Sequence, residues 1–228
     1  MNFLLISSNN ESSFVAASLG SSVHVKYTSD YLDKTEISSY LKSPDKLAQC
    51  LKFITDKIIA EGTKLSELDA FSVITGPGSF TGIRVGLALA KGCADSLRKK
   101  IIPIDNFELL FNRIYNKSNS EKYCLLIPAK EPEFYYALYV NNAEMERGCL
   151  KFDEILSKFD KNTILAGNFS DDYKKNLGYF SILDKKNLLS ELDSMVMLTE
   201  KKYISRSVYD SAEVEPVYLK DFNFRKNN

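Results

Sequence analysis

The order of apolar segments constrains this chain more than any other feature, because the same order occurs twice. Residues 3–6, 14–19 and 23–27 are strand-like runs, the last two separated by the turn dipeptide Gly20-Ser21. Ser43-Pro44 then offers a cap and a first-turn proline, and Gly62 a closing residue, for a helix over 45–61 in which Leu47, Leu51, Ile54 and Ile58 recur at helical spacing. A strand over 70–75, a helix over 83–97, a strand over 101–104 and a helix over 107–115 follow. The second half repeats the order: strands over 123–127, 134–140 and 144–150, with Asn141-Asn142 as a hairpin turn, then helix 152–159, strand 163–166, helix 171–177, strand 179–183 and helix 188–198. The repeat is topological, without residue-level identity between the halves.

A duplicated βββαβαβα unit, arranged as two lobes around a cleft, is the architecture of actin, Hsp70 and the sugar kinases. The expected fold class is therefore α/β, of the actin-like ATPase / Hsp70 (ribonuclease H-like) kind. An ordinary doubly wound sheet would open with alternating strand and helix, not with three strands. The polar stretch 116–122 sets the expected boundary. An N-terminal lobe over 1–115 precedes a smaller C-terminal lobe over 116–228, whose last segment can return to the first.

The rest of the sequence narrows the function classes. Lys plus Arg and Asp plus Glu both total 30, so no overall basic footprint for nucleic acid exists. Cys50, Cys93, Cys124 and Cys149 are widely spaced, form no metal-ligand or redox pair, and read as buried reduced thiols. The start, MNFLLISSNN, has neither a basic region nor a cleavage site and reads as a first strand. No apolar run approaches the roughly 18 residues a membrane span needs. A cytoplasmic protein without membrane attachment is expected.

The stretch ITGPGSFTGIRVGLALAKG joins a buried strand to a helix through Gly76, Pro77, Gly78, Ser79, Phe80, Thr81 and Gly82, with Arg84 just inside the helix. Ser79 or Thr81 can cap that helix and leave backbone N–H groups converging on one spot, a candidate anion or nucleotide contact. The Walker lysine is missing, however, and Thr81 stands where the dinucleotide fingerprint needs its third glycine. A tight strand-to-helix turn is the competing reading.

The helix itself is apolar nearly all round, and such a helix must be buried on every side. Its small residues, Gly86, Ala90, Gly92 and Ala94, allow close approach of a neighbour. Together with helix 45–61 it is expected to expose an apolar patch for another subunit, formed by Leu47, Leu51, Ile54, Ile58, Gly86, Ala90, Cys93, Ala94 and Leu97. The alternative is purely internal packing.

GPGSFTGIRVG followed by LALAKG, with LSELDAFSVITGPGSF upstream, resembles the signature of the TsaB family. EFYYALYVN and EPVYLKDF are fainter echoes of it. The resemblance implies an inactive paralogue of TsaD that pairs with TsaD through its two N-terminal-domain helices, with TsaE joining them. It places the pair in transfer of threonylcarbamoyl to the adenosine beside the anticodon of tRNAs reading codons that begin with A. Contact with tRNA would then occur only through the complex, and self-association through the same helices is open. Three departures stand out. Ser7 occupies the position where the family's first strand carries Asp, KSPDKL replaces His-Ser-Glu, and Pro128-Ala129-Lys130 replaces Asp-Ala-Arg.

An actin-like nucleotide-binding kinase or a peptidase-like enzyme is the alternative. Its difficulty is chemical. His24 is the only histidine, so a two-histidine metal site cannot be built. Ser79 lacks the GxSxG elbow, and Glu131 and Glu133 flank a proline in a loop where carboxylates are usually solvated. No catalytic residue, metal or cofactor is expected.

Overall fold

The computed structural model of the chain describes residues 1–8, 13–20, 25–28, 45–114, 122–167, 173, 175 and 190–219. They fall into two compact units, one made of Met1–Arg113 and Leu189–Pro216, the other of Ile114–Leu188 and Val217–Asn228. His24, Ser43-Pro44, the polar stretch up to residue 121 and the expected strand 179–183 lie outside the described residues, as does most of the expected helix 171–177.

The first unit is built on a five-stranded sheet of order β3-β2-β1-β4-β5, with β1 (Asn2–Ser8), β2 (Ser13–Leu19), β3 (Val25–Thr28), β4 (Ala70–Gly76) and β5 (Lys100–Asp105). The three opening strands pair antiparallel, whereas β4 and β5 add in parallel. Parallel pairing needs crossovers, supplied by helices α1 (Asp45–Ala60) and α2 (Phe80–Leu97). Alternation along the strands divides the core. Leu4, Ile6, Val15, Ala17, Phe71 and Val73 pack with α1 and α2, while Phe3, Leu5, Phe14, Ala16, Ile102 and Ile104 face the other way. Helix α3 (Asn106–Ile114) contributes Leu109 to that second face.

The second unit repeats the plan. Strands β6 (Lys122–Pro128), β7 (Glu133–Val140) and β8 (Ala143–Lys151) form an antiparallel meander, helix α4 (Phe152–Lys158) follows, and β9 (Ile164–Gly167) pairs in parallel with β6. The order β8-β7-β6-β9 reproduces β3-β2-β1-β4. Asn141 and Asn142 turn the hairpin with φ of 49° and 67°, the left-handed pair its tight turn needs. Phe134, Phe152 and Tyr173 cluster over this core, Phe134 and Tyr173 edge to face and the other two pairs tilted, with ring centroids 4.7 to 5.5 Å apart.

The last helix departs from the expected repeat. It runs from Glu191 to Ile204 (α5), later than the expected 188–198, and packs on the first sheet instead of completing the second. Ser190 sets its start, since its Oγ accepts from the Asp193 amide at 3.0 Å. Its placement follows from what it carries. Met195, Val196 and Leu198 cover the face of β1, β4 and β5 that α1 and α2 leave bare, the Thr199 hydroxyl donates to Ser72 Oγ at 2.7 Å, and Lys202 bonds Glu108 at 2.7 Å. Three helices end alike, with an amide reaching back to the carbonyl five residues earlier past a left-handed residue. That residue is Gly62 after α1, as expected, but Arg98 after α2 and Arg206 after α5.

Candidate partner face and glycine-rich turn

The turn between β4 and α2 is held from within. Gly76 leaves the strand at φ 113°, Pro77 follows through a cis peptide bond, and the buried Asn106 amide donates to the Pro77 carbonyl at 2.9 Å. Thr75 Oγ1 donates to the Ile104 carbonyl at 3.2 Å. Ser79 caps α2, accepting from the Gly82 amide through Oγ at 3.3 Å and from the Ile83 amide through its carbonyl at 2.9 Å. The helix therefore begins at Phe80, three residues before the expected start. Two of the amides that an anion cradle would use are already engaged.

Gly82 and Gly86 let the helix settle on the end of β1. A Cβ on Gly82 would lie 2.3 Å from the Ser8 carbonyl oxygen, and one on Gly86 2.4 Å from Ser8 Oγ. The outward part of the motif is Phe80, 39% exposed, with Thr81 and Arg84; the Arg84 guanidinium lies 5.0 Å from the Phe80 ring centroid. Gly78 and Ser79 are half-buried.

The position where a carboxylate was sought at the end of β1 has a different solution. Ser7 is fully buried and donates to Glu191 Oε1 at 2.9 Å, so α5 delivers a carboxylate from the far end of the chain. Sequence reading missed Glu191. The Ser190-x-x-Asp193 cap marks a helix start, but nothing local tells which sheet that helix joins.

The nine residues expected at a partner surface divide. Leu47, Ile54, Ile58, Gly86, Ala90 and Ala94 are buried in the first unit's own core, whereas Leu51, Cys93 and Leu97 are half-buried. The correction has a physical reason: the small residues serve close approach to the sheet, not to a second helix. What remains outward is a neighbouring strip. Val85, Leu89 and Cys93 are half-buried at four-residue spacing, and Ala88 and Gly92 are exposed between Arg84 and Asp95. A Cβ on Gly92 meets nothing within 4 Å. On α1, Leu51 and Phe53 are half-buried and Ile59 is exposed.

The remaining candidates are quiet. Lys130 closes the β6–β7 turn, its carbonyl accepting from the Glu133 amide at 3.0 Å, and Glu131 accepts from the Tyr173 hydroxyl at 3.3 Å. All four cysteines are free thiols; burial pushes Cys93 up, and burial followed by the Glu146 carboxylate does the same to Cys124, so neither is activated. Among the described residues no group of three His, Cys, Asp or Glu side chains could hold a metal ion. No described helix is long and apolar enough to cross a membrane.

Duplicated sheets of this order, with a capped glycine-rich turn feeding a half-covered helix, define an actin-like α/β protein. Residues 44–174 match the family described as TsaD, tRNA N6-adenosine threonylcarbamoyltransferase. The chain is 26% identical over 202 residues to the tRNA threonylcarbamoyladenosine biosynthesis protein TsaB of Haemophilus influenzae, covering 83% of this chain and 85% of that protein. It is 38% identical over 88 residues to the tRNA N6-adenosine threonylcarbamoyltransferase of Borreliella burgdorferi, covering 39% of this chain and 23% of that one. The solved structure of YeaZ from Pseudomonas aeruginosa superposes with a TM-score of 0.67 at 18% identity, over 96% of this chain and 99% of that one, and so shares the fold. The family match spans more than half of the chain, which belongs to this family in its TsaB (YeaZ) branch.

Proposed function

We propose that this chain takes part in tRNA threonylcarbamoyladenosine biosynthesis as a non-catalytic platform that pairs with TsaD, with TsaE joining the pair. TsaD would carry out threonylcarbamoyl transfer to the adenosine beside the anticodon of tRNAs reading ANN codons, and tRNA would meet this chain only within the complex. One observation carries the pairing. Helix α2 keeps a half-covered apolar strip, Val85, Leu89 and Cys93, beside exposed Ala88 and Gly92, after its own sheet has been fully packed. Small exposed residues beside an apolar strip admit a second helix at short distance. The platform role draws on the chemistry of the sequence: one histidine, no Walker lysine, and Ser7 where the family's first strand carries Asp.

Ala88→Arg and Gly92→Arg test the pairing, since both sites are exposed and either arginine projects outward. Each variant should keep the far-UV circular dichroism and melting temperature of the parent but lose co-elution with TsaD. In reconstitution, the parent chain should be inert alone and should restore tRNA modification by TsaD, TsaE and the activated intermediate. Co-elution retained by both variants, or tRNA modification by this chain without TsaD, would refute the proposal.

A further inference from the structure

Between α5 and Pro216 the chain changes faces of the first sheet. Helix α5 packs on the side of Phe3 and Leu5, yet Val214, only 3% exposed, is packed on the opposite side with α1 and α2. To get there the chain rounds the edge strand β5. Tyr209 and Ile101 exchange two backbone hydrogen bonds of 2.9 Å, and Asp210 bonds Lys100 at 2.7 Å. The single turn Ser211–Glu213 then lies along α2, where Ser211 hydrogen-bonds Asp95 and Glu215 meets Lys91 at 3.4 Å. Lys91 and Asp95 stand one helical turn apart on one flank of α2, so residues 209–215 form a strap along that flank.

The strap is held by little. Its ion pairs are exposed and contribute weakly. Val214 is the buried apolar anchor it supplies to the core, and two backbone bonds tie it to the sheet. Segments with so few buried contacts open by themselves before the sheet they rest on. We infer that residues 209–216 form a clamp that opens and closes independently of the first sheet and sets the order of the β5 edge and the C-terminal half of α2. Its relevance to partner binding rests on the pairing proposed for α2, but its existence does not.

Amide hydrogen exchange on the full chain, without any partner, tests it. Tyr209 and Ile101 amides should exchange faster than those of β1 and β4. Val214→Ala should accelerate Ile101, Tyr209 and Lys99 by roughly tenfold, the scale of removing two buried methyl groups, while leaving Leu5 and Val73 unchanged. Tyr209→Pro, which removes one donor to the edge strand at a half-exposed site, should accelerate Ile101 in the same way. Equal acceleration of every amide in the sheet, or none at Ile101 in both variants, would overturn the clamp. Co-elution of Val214→Ala with TsaD then reports separately on the partner face.

Discussion

Helix α2 contains three glycines in different surroundings, and Gly→Ala should have opposite signs among them. In an exposed helix, alanine is favoured over glycine by about 1 kcal/mol through lower backbone entropy in the unfolded chain. Gly92 has open space where a Cβ would go, so Gly92→Ala should stabilise by roughly that amount. At Gly82 the new Cβ would sit 2.3 Å from the Ser8 backbone oxygen, about 1 Å inside ordinary contact, and backbone cannot rotate away. The start of α2 must then lift off β1, an overpacking cost of about 1 to 3 kcal/mol that outweighs the propensity gain. Gly86 is intermediate, because its Cβ would meet the Ser8 hydroxyl at 2.4 Å and the Ser8 Cβ at 3.1 Å, side-chain atoms instead of a backbone oxygen. The expected order of stability is Gly92→Ala, parent, Gly86→Ala, Gly82→Ala, read as urea midpoints at constant slope. Ser8→Ala combined with Gly86→Ala should recover part of the Gly86→Ala loss, since the Ser8 Cβ contact at 3.1 Å remains. A Gly82→Ala protein as stable as Gly92→Ala would refute the close packing of α2 on β1.

Two further outcomes follow from local geometry. Arg98→Gly and Arg206→Gly each relieve a side chain held in the left-handed region at a helix end, and each should raise stability by about 1 kcal/mol, visible as a thermal midpoint higher by a few degrees; a fall in midpoint for both would count against that reading. In the second unit, the hydrogen bond from Lys122 to Asp160 at 2.6 Å, helped by the Asn162 amide, holds the Asp160 carboxyl below the usual carboxylate range. A depressed carboxylate contributes stability above its unfolded pKa and loses it as pH falls through the folded one. Lys122→Met should therefore raise the Asp160 pKa and flatten the acid side of the stability profile, checked by NMR titration of that carboxyl; an unmoved titration would show the pair to be idle.

Local signals carried most of the architecture. The apolar runs in FLLIS and FVAAS, the Asn141-Asn142 turn and Gly62 after α1 each depend on a few adjacent residues, and the structure realises each of them. The duplicated strand order emerged from the same signals. What could not be read was direction across the fold. An all-apolar helix does not declare which side faces its sheet, so Ala90 and Ala94 were expected outward, when the sheet needed them and Ala88 and Gly92 were left to solvent. Helix α5 was likewise legible as a helix but not as a neighbour of Ser7 and Ser72, contacts that span 184 and 127 residues. Glu191 gains its hydrogen bond through that distant pairing, which leaves no local mark.

The placement of α5 also orders events during synthesis. The ribosome releases β1 to β5 early, but one face of that sheet, with Phe3, Leu5, Ala16 and Ile102, has among the described residues only Leu109 of α3 against it until Met195, Val196 and Leu198 emerge. By then β6 to β9 have all been made. The unit translated first is thus closed last, and a nascent chain halted between Gly167 and Glu191 would carry an oily sheet into the cell.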